Sequence, residues 1–463
     1  MLPMGMTRRS FAGLAAGGMA SLLGCSTGRP QARRPKASER VTLAIIGCGM
    51  ESRDNLPQFL ADPRVQVVVA CDPVEYAPGY GYRAELPGGR RVVKEMVDRH
   101  YGADVCRMVA DWREVVADPS IDAVAVITPD HWHAIISIAA MRAGKHVYCQ
   151  KPISHAIAEG RAIARTAAET GVTFQSGSQQ RSLSEFRVAC ELIRSGYMGR
   201  VELCEMFFPT DRGGCWGHAL DRSRKAPPAY FADGAWDLWQ GPAKHWEGNA
   251  FIPGIHEPMQ WRWNARTGSG TMADWGAHHF DIMQWAAGAD DSGPVAIENM
   301  KFSDECDEVF SWPGSFSFDI AYANGFRGRA VNNPPDKNFP WRNGIVFHCE
   351  KGRLCVKRGR LERPDFLKKW NERRDLKEGD VHLHRSRASH EMDFIDSIYS
   401  GERPAADAEV GHRAATICHL ANACVLGRQD RMGWDPVVER PTTGGMPSEI
   451  LDGVYFNGWT LGG

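Results

Sequence analysis

Short apolar runs alternate with longer segments of helical character between about residues 41 and 150. Runs that are apolar at nearly every position are typical of parallel strands, because helices cover both faces of such a sheet. A strand followed by a helix, repeated several times, favours a doubly wound parallel sheet. We predict strands at Val41 to Ile46, Val65 to Ala70, Ala123 to Ile127 and His146 to Cys149, with helices running to about Leu60 and from His131 to Ala143.

The pattern changes after about Ile153. One more helix and one more strand are expected, and longer segments rich in aromatic residues, Gly and Pro follow. Several later segments have strand character with no helix between them, which favours a largely antiparallel sheet in a second, α+β domain. The predicted strands are Val201 to Phe208, Ser315 to Tyr322, Gly344 to Cys349 and Arg353 to Lys357, and the predicted helices are Ser182 to Ser195, Arg387 to Tyr399 and Gly411 to Leu426.

The first residues have the composition of an export signal. Thr7-Arg8-Arg9-Ser10-Phe11 precedes a weakly apolar run from Ala12 to Leu23, which resembles a twin-arginine signal and is too short for a stable transmembrane helix. Leu22-Leu23-Gly24-Cys25 also resembles a lipoprotein processing box, so lipidation of Cys25 and ordinary cleavage nearby both remain open. Ser26 to Ser38 is predicted to be a tether. We expect a periplasmic or cell-envelope protein that contacts the membrane only through this possible lipid anchor.

Net charge and cysteine spacing argue against a nucleic-acid or membrane partner and against a zinc or redox cysteine site. The formal net charge is -1, which gives no electrostatic reason to expect a nucleic acid or an anionic membrane surface as partner. The 13 cysteines are scattered, without the paired spacing of a zinc or redox site. Twin-arginine export moves proteins that have already folded, so buried thiols can remain reduced and a cofactor can travel inside the protein.

The first predicted strand ends in Gly47-Cys48-Gly49, where the chain can turn tightly and approach a pyrophosphate at a helix N-terminus. Ser52 stands where the usual fingerprint has a third Gly, so an ordinary structural turn remains an alternative. Asp72 ends the next strand, where a carboxylate meets the adenosine ribose hydroxyls. A carboxylate there repels a 2′-phosphate and favours NAD over NADP, while Arg53 keeps NADP open as the second choice.

Two later motifs supply acid–base groups. Lys151-Pro152 follows a strand end, where a lysine can hydrogen-bond a reacting hydroxyl and relay its proton. Asp274 and His278 are four residues apart, so on one helix they share a face, and the carboxylate can hold the imidazole in one tautomer. His278 is then the predicted general base or acid, with His279 as the substitute if the register differs by one residue.

Two His-x-His pairs, His131 with His133 and His382 with His384, have the spacing of metal ligands. No third ligand stands at a motif-like spacing, so we predict no metal site. His133 is instead expected near the nicotinamide or the substrate. The residues predicted to contact the cofactor are Gly47, Gly49, Ser52, Arg53, Asp72, Thr128, Pro129, His133 and Lys151.

Taken together, these motifs resemble the glucose-fructose oxidoreductase, inositol dehydrogenase and rhizopine-catabolism family, Gfo/Idh/MocA, in an exported bacterial branch. The resemblance covers roughly residues 41 to 460. Its usual Glu-Lys-Pro tripeptide is Gln150-Lys151-Pro152 here, so the charge around Lys151 differs from the family pattern. The motifs that carry the resemblance are Thr128 to His133, Ala143 to Val147, Gln150 to Pro152, Ser178 to Arg181, Trp236 to Pro242, Asp274 to His279, Gly411 to Arg413 and His419 to Asn422.

The resemblance implies a Rossmann domain, then an open, mostly antiparallel sheet domain that is often used for oligomerisation, with substrate between them. We therefore predict a leader and tether at residues 1–38, an NAD-binding domain at 39–152, a substrate-binding domain with closing helices at 153–463, and a homodimer or homotetramer. Sugar contacts are predicted at Gln179, Arg181, Trp236 and His279; a surface loop at Gln179 to Arg181, and core packing of Trp236, Trp239, Trp261 and Trp263, are the alternatives.

The leading functional hypothesis is an exported NAD-dependent oxidoreductase that acts on a secondary hydroxyl of a sugar or glycoside. Because free NAD is not expected outside the cytoplasm, the cofactor should be tightly bound and regenerated in place. The alternative is an NAD-dependent glycoside hydrolase that oxidises its substrate transiently, eliminates the aglycone, adds water and returns the hydride. A cofactor-binding envelope protein with little turnover is the third reading, motivated by Gln150 and Ser52.

Overall fold

The computed structural model describes residues 39–78, 86–209, 228–231, 234–243, 260–304, 310–332 and 343–462. The predicted export signal, the tether and Cys25 lie outside these ranges. None of the helices within them combines the length and the apolar character that a bilayer-spanning helix requires.

The first domain is built on a six-stranded parallel sheet with the strand order β3-β2-β1-β4-β5-β6. This is the doubly wound order in which β1 has β2 on one side and β4 on the other, so the connections diverge at the carboxyl ends of β1 and β4. The strands are β1 (Val41–Ile46), β2 (Val65–Cys71), β3 (Arg107–Val109), β4 (Ala123–Val126), β5 (His146–Cys149) and β6 (Phe174–Ser176), and the helices are α1 (Met50–Leu60), α2 (Arg90–Tyr101), α3 (Trp112–Ala117), α4 (Asp130–Arg142) and α5 (Ile157–Thr170).

The burial of the strand residues in the first domain explains why their apolar runs predict strands. Every residue of β4 and β5 is buried, and five of the six residues of β1 are buried. Because helices cover both faces of the sheet, neither face needs polar residues. The predicted fold class is confirmed in this domain.

The parallel sheet continues beyond the boundary predicted after Pro152. Phe174–Ser176 pairs in parallel with β5 and forms the sixth strand, so the sheet reaches Ser176. The Lys151-Pro152 motif therefore lies in the connection between β5 and α5 rather than between two domains. The three-residue strand is too short to show an apolar period of its own.

The second domain contains a nine-stranded sheet with the order β13-β12-β11-β7-β10-β9-β8-β14-β15, in which only β7 and β10 pair in parallel. Its strands are β7 (Val201–Phe208), β8 (Ala296–Phe302), β9 (Phe316–Ala321), β10 (Arg327–Asn332), β11 (Gly344–Cys349), β12 (Gly352–Lys357), β13 (Arg360–Glu362), β14 (Met432–Asp435) and β15 (Arg440–Thr443). The helices are α6 (Ser184–Arg194), α7 (Ala235–Gln240), α8 (Gly270–Asp274), α9 (Gly276–Ala287), α10 (Glu372–Asp375), α11 (His390–Ser400), α12 (Ala408–Leu426) and α13 (Ser448–Leu451), and short 3-10 helices span Gln179–Ser182, Ala229–Phe231, Gln260–Trp263 and Asp365–Leu367.

One face of this sheet packs on helices α6, α9 and α12, and the other face is polar. On β9, Phe316, Phe318 and Ile320 are buried, while Asp319 points to the opposite face and pairs with Arg329 of β10. This alternation is typical of a sheet with one covered face. The mostly antiparallel sheet predicted for this domain is confirmed.

The closing helices return to the first domain and fix the two domains against each other. Helix α11 packs on α1, and α12 packs on α5. The backbone N–H of Ser176 donates to the Ala406 carbonyl at 2.8 Å. The cleft between the domains is therefore bordered by elements from both ends of the chain.

Candidate active site

A cavity opens at the carboxyl ends of β1 and β4, between the two domains. The first domain lines it with the loop after β1, the end of β2 and the loops after β4 and β5, and the second domain lines it with Trp261, Arg262 and Asp274. The divergence point of a doubly wound sheet is where such folds bind nucleotides. The cavity therefore brings the predicted cofactor loop together with Lys151 and Asp274.

The loop after β1 has the geometry that a bound pyrophosphate requires. Gly47 has a φ of 94°, and a Cβ there would lie 2.4 Å from the Ile127 carbonyl oxygen, so only glycine fits. Gly49 is the N-cap residue of α1, and a Cβ at Gly49 would meet no atom within 4 Å. Because Gly47 and Gly49 have no side chains and the N-terminal amides of α1 lie at this loop, the loop fits a dinucleotide.

Ser52 and Arg53 support this loop and do not line the cavity. The buried Ser52 hydroxyl donates to the Gly49 carbonyl at 2.6 Å. The Arg53 guanidinium donates to the Pro87 carbonyl at 2.9 Å. The sequence placed both residues in contact with the cofactor, whereas here Ser52 shapes the turn and Arg53 binds the segment that follows β2.

Asp72 lies at the end of β2 and lines the cavity, as the sequence predicts. Its two carboxylate oxygens accept backbone N–H groups of Cys48 and Val74, each at 2.8 Å. Burial raises the pKa of Asp72 to about 6, although these two hydrogen bonds oppose the shift. The carboxylate is thus tied to the Gly47-Cys48-Gly49 loop at the end of β2.

Thr128, Pro129 and His133 also line the cavity. The Thr128 hydroxyl is buried and has no hydrogen-bond partner in the described part of the chain, which is the kind of polar atom a ligand satisfies. His133 faces two backbone carbonyls, with Nδ1 2.6 Å from the Pro152 oxygen and Nε2 2.8 Å from the Thr128 oxygen. Burial lowers the pKa of His133 to about 4, so the neutral ring can donate to only one of them.

Lys151 extends into the cavity and is held by Asp274. Its Nζ donates to Asp274 Oδ1 and to the Asp274 carbonyl, both at 2.8 Å. Arg262 Nε lies 3.3 Å from the same carboxylate oxygen. Burial alone would raise the pKa of Asp274, but Lys151 and Arg262 hold it well below its usual range. A lysine held in a fixed position by Asp274 therefore faces the cavity.

The structure departs from the predicted Asp274–His278 pair. The helix breaks at Trp275, so Asp274 ends α8 and His278 lies in α9. His278 Nδ1 is buried without a hydrogen-bond partner in the described residues, and His278 is absent from their cavity lining. Burial lowers the pKa of His278 well below its ordinary value, and the nearby Lys151 charge lowers it further. Asp274 thus orients Lys151 rather than His278.

His279, the predicted substitute and sugar contact, lies deeper. It is 1% exposed, and its Nε2 is 2.6 Å from Asn343 Oδ1. Its ring lies 5.3 Å from that of Phe208 on β7. His279 is therefore part of the packing between α9 and the second sheet, away from the cavity lining.

Arg181 was predicted to bind a sugar, and the structure contradicts this. The side chain is 2% exposed; Nε donates to both Asp281 oxygens at 2.9 and 2.8 Å, and the two terminal nitrogens donate to Asp290 at 3.1 and 2.7 Å. Gln179 lies in the same 3-10 helix and donates to the Tyr148 hydroxyl at 3.4 Å. Neither residue lines the cavity. The guanidinium of Arg181 donates to Asp281 and Asp290, which lie about a hundred residues away in the sequence, so these nitrogens do not face the cavity.

Replacing Arg181 by Leu is expected to lower the free energy of unfolding by about 3 kcal/mol, because Asp281 loses its buried counter-charge. Arg329→Leu is the matched control, since its partner Asp319 lies on the solvent-facing side of the sheet and such pairs contribute at most about 1 kcal/mol. Urea unfolding measures both. An R181L protein of wild-type stability with weakened sugar binding would restore the original sequence prediction.

Aromatic residues close one side of the cavity. Trp239 and Trp261 line it, whereas Trp236 stacks on Trp239 with ring centroids 5.2 Å apart and does not reach the lining. Trp263 is 3% exposed and belongs to the core of the second domain. Trp236, which was predicted to contact a sugar, therefore lies behind the lining, and Trp239 and Trp261 are tryptophans that face the cavity.

Three charged cavity residues were not predicted as site residues. Glu51 and Asp130 lie in the first turns of the helices that follow β1 and β4, and this position next to a strand end could have identified them from the sequence. No sequence pattern identified Arg262. Asp130 accepts only the Ser269 N–H, at 3.1 Å, among the described residues. Burial raises its pKa to about 7, against the opposing pull of Arg262 and Lys151. Asp130 is therefore a carboxyl group that can exchange a proton near neutral pH.

The described histidine pairs and cysteines form neither a metal site nor a disulfide. His131 faces the carbonyls of Trp239 and Thr267, His382 faces that of Lys377, and His384 pairs with Asp393. No group of three potential metal ligands is found within the described ranges. The ten cysteines in those ranges are free thiols, and all but Cys355 are buried.

Comparison with known families covers both domains. Residues 41–178 match the oxidoreductase family Gfo/Idh/MocA with an NAD-binding Rossmann fold, and residues 227–459 match the C-terminal alpha/beta domain of the same oxidoreductase family. The second match alone spans half of the chain.

Curated relatives are similar over shorter stretches. A levoglucosan dehydrogenase of Pseudarthrobacter phenanthrenivorans is 34% identical over 92 residues, which is 20% of this chain and 24% of that protein. An inositol 2-dehydrogenase of Rhodococcus jostii is 25% identical over 42% of this chain and 45% of its own length. A glycosyl hydrolase family 109 protein of Stenotrophomonas maltophilia is 27% identical over 42% of this chain and 40% of its own length. The chain thus spans less than half the length of these relatives.

Solved structures share the fold. GenD2 from gentamicin A biosynthesis, crystallised with NAD, superposes with a TM-score of 0.57 at 17% identity, over 87% of this chain and 99% of GenD2. With both of its domains matched and a dinucleotide-compatible cavity between them, the chain belongs to the Gfo/Idh/MocA family of oxidoreductases.

Proposed function

We propose that this protein is an NAD-dependent oxidoreductase that acts on a secondary hydroxyl of a sugar or glycoside. The observation that carries the proposal is the Lys151 ammonium, which lies in the same cavity as the Gly47-Cys48-Gly49 loop and is held there by Asp274. A bound dinucleotide supplies hydride transfer, and a lysine at this place can orient the hydroxyl that reacts.

The hydroxyl proton needs an acceptor. The sequence predicts His278, whose ring burial keeps neutral. Asp130 is the competing acceptor, because it lines the cavity, has a pKa of about 7, and is close enough for the charge of Lys151 to act on it. Lys151 hydrogen-bonds the substrate oxygen in either case, and Arg262 with Asp274 keeps its ammonium in place.

The cavity supports NAD as the cofactor. Gly47 and Gly49 leave room for the pyrophosphate, the Thr128 hydroxyl has no partner among the described residues, and the Asp72 carboxylate binds the loop through the Cys48 N–H. Arg53 donates to the Pro87 carbonyl, which weakens the case for a 2′-phosphate contact. We propose that the cofactor stays bound through the catalytic cycle and is reoxidised by a second substrate.

A second candidate is glycoside hydrolysis through transient oxidation. Two glycosyl hydrolase family 109 proteins, from Stenotrophomonas maltophilia and Saccharopolyspora erythraea, are among the relatives. In such a reaction oxidation beside the anomeric carbon acidifies a ring proton, the aglycone leaves, water adds, and the hydride returns. The same Lys151 and Asp130 would serve both outcomes, so the products distinguish them.

Mass spectrometry of the products tests the proposal. Purified protein is incubated without added cofactor, with a panel of glycosides and an artificial electron acceptor. A product that has lost two hydrogens and kept its glycosidic bond is expected. Free sugar and aglycone without net oxidation would move the function to hydrolysis. If no glycoside is turned over although NAD is found in the protein, the reading as a cofactor-binding protein gains support.

We also propose export by the twin-arginine route and assembly as a dimer or tetramer. The support for export is Arg8-Arg9 followed by the apolar run. Replacing both arginines by lysine is expected to retain the protein in the cytoplasm, as measured by cell fractionation. Palmitate labelling of the Cys25→Ala variant tests the lipid anchor.

Light scattering of the purified protein tests whether it assembles as a dimer or a tetramer.

A further inference from the structure

A hydrogen-bond network links the helix of the cofactor loop to the backbone of Lys151. The Gln150 amide nitrogen donates to Glu51 Oε1 at 3.0 Å and to Asn55 Oδ1 at 2.8 Å, both on α1. The Gln150 amide oxygen accepts the Lys151 N–H at 3.1 Å. Asn55 in turn donates to Glu391 Oε1 on α11 at 3.0 Å.

This network fixes which end of each amide faces which partner. Carboxylates are acceptors only, so Asn55 must keep its nitrogen towards Glu391 and its oxygen towards Gln150. Glu51 likewise presents an oxygen. Position 150 is therefore required to donate to two acceptors at once. Its amide group also packs closely on Gly177, since a Cβ added to Gly177 would lie 2.6 Å from the Gln150 amide oxygen.

We propose that Glu51 and Gln150 form a positioning pair for Lys151, in which Glu51 supplies the carboxylate and position 150 must carry an amide. The proposal rests on the proposed role of Lys151. Glu51 lines the cavity, and its second carboxylate oxygen has no partner among the described residues. The departure from the family tripeptide at Gln150 is thereby matched by a carboxylate that comes from α1 instead.

The exchange of the two side chains tests this pairing. Gln150→Glu replaces the donating amide nitrogen with a carboxylate oxygen that faces the acceptor oxygens of Glu51 and Asn55. Turnover is therefore expected to fall about tenfold above pH 7, where both carboxylates are ionised. The double variant E51Q/Q150E removes the repulsion between the two carboxylates but leaves the Asn55 oxygen facing a second acceptor, so we expect its turnover to recover in part, to within about fivefold of wild type. If the double variant is as impaired as Q150E, the pairing is wrong.

Thermal unfolding supplies a readout that needs no substrate. In Q150E two facing carboxylates share a proton, which raises the pKa of one of them in the folded state. A raised folded pKa stabilises at low pH and loses that contribution as pH rises through it. The Tm deficit of Q150E should therefore grow between pH 5.5 and 8, and this growth with pH should be much smaller in E51Q/Q150E, where the two facing carboxylates are no longer present together. The other charged or titratable groups around the pair are Lys151, Tyr148, Glu391 and Arg358.

The two readouts separate the possible failures. If the Tm pattern appears but wild-type protein oxidises no glycoside, the pair stands as a contact and the proposed function fails. If the Tm pattern appears and Q150E keeps wild-type turnover, Glu51 and Gln150 do not position Lys151. If neither readout changes in Q150E, the network itself is wrong.

Discussion

Replacing Lys151 by Met is expected to lower the turnover number about 10³-fold while the protein keeps its fold and its cofactor. The change removes the ammonium that donates to Asp274 at 2.8 Å and faces the cavity. A positioned proton-transfer group typically contributes 10²- to 10⁴-fold to a rate. Steady-state kinetics with an accepted glycoside measure the turnover number and KM separately, and the absorbance of bound NAD reports cofactor content.

Lys94→Met is the matched control for this change. Lys94 also pairs with an aspartate, Asp98, at 2.6 Å, but it lies on the surface helix α2 and outside the cavity lining. We expect its turnover to stay within about threefold of wild type, because surface ion pairs contribute little. A K151M variant that kept more than a tenth of the wild-type turnover would remove Lys151 from the catalytic site.

Replacing Gly47 by Ala is expected to abolish retention of the dinucleotide, with binding at least about 100-fold weaker. The new Cβ would lie 2.4 Å from the Ile127 oxygen and 2.5 Å from the Ile127 carbonyl carbon, which are backbone atoms that cannot move independently of β4. The loop and the start of the Thr128 segment would shift together. Calorimetric titration with NAD measures the affinity, and thermal unfolding measures the stability.

Two glycine controls separate backbone strain from loss of the site. Gly102→Ala has a comparable positive φ of 68° and no atom within 4 Å of the new Cβ, so it should cost about 1 kcal/mol of stability and leave NAD binding unchanged. Gly49→Ala adds a Cβ into open space, so it should weaken NAD binding without destabilising the protein. Wild-type affinity in both G47A and G49A would place the dinucleotide elsewhere.

Local patterns in the sequence determined the first domain and its loop. The apolar runs at Val41–Ile46 and His146–Cys149 predict the strands to the residue, because both faces of a parallel sheet are covered and nearly every position is buried. Gly47 and Asp72 were identified because the strand, the turn and the next strand end are close in the sequence. Lys151 was identified for the same reason, since Pro152 and β5 adjoin it.

Only the tertiary structure decided how the second domain completes the site. The sequence predicted that Asp274 would hold His278 on one helix, but the helix breaks at Trp275 and the carboxylate binds Lys151, 123 residues earlier. The sequence also predicted that Arg181 binds a sugar, but in the folded chain its guanidinium binds Asp281 and Asp290. Donors and acceptors choose partners by distance in space, and spacing along the chain sets that distance only within a helix, a strand or a turn. The sequence by itself therefore determined the parallel sheet, its glycine loop and the lysine, whereas long-range packing decided what holds the lysine and which carboxylates share its cavity.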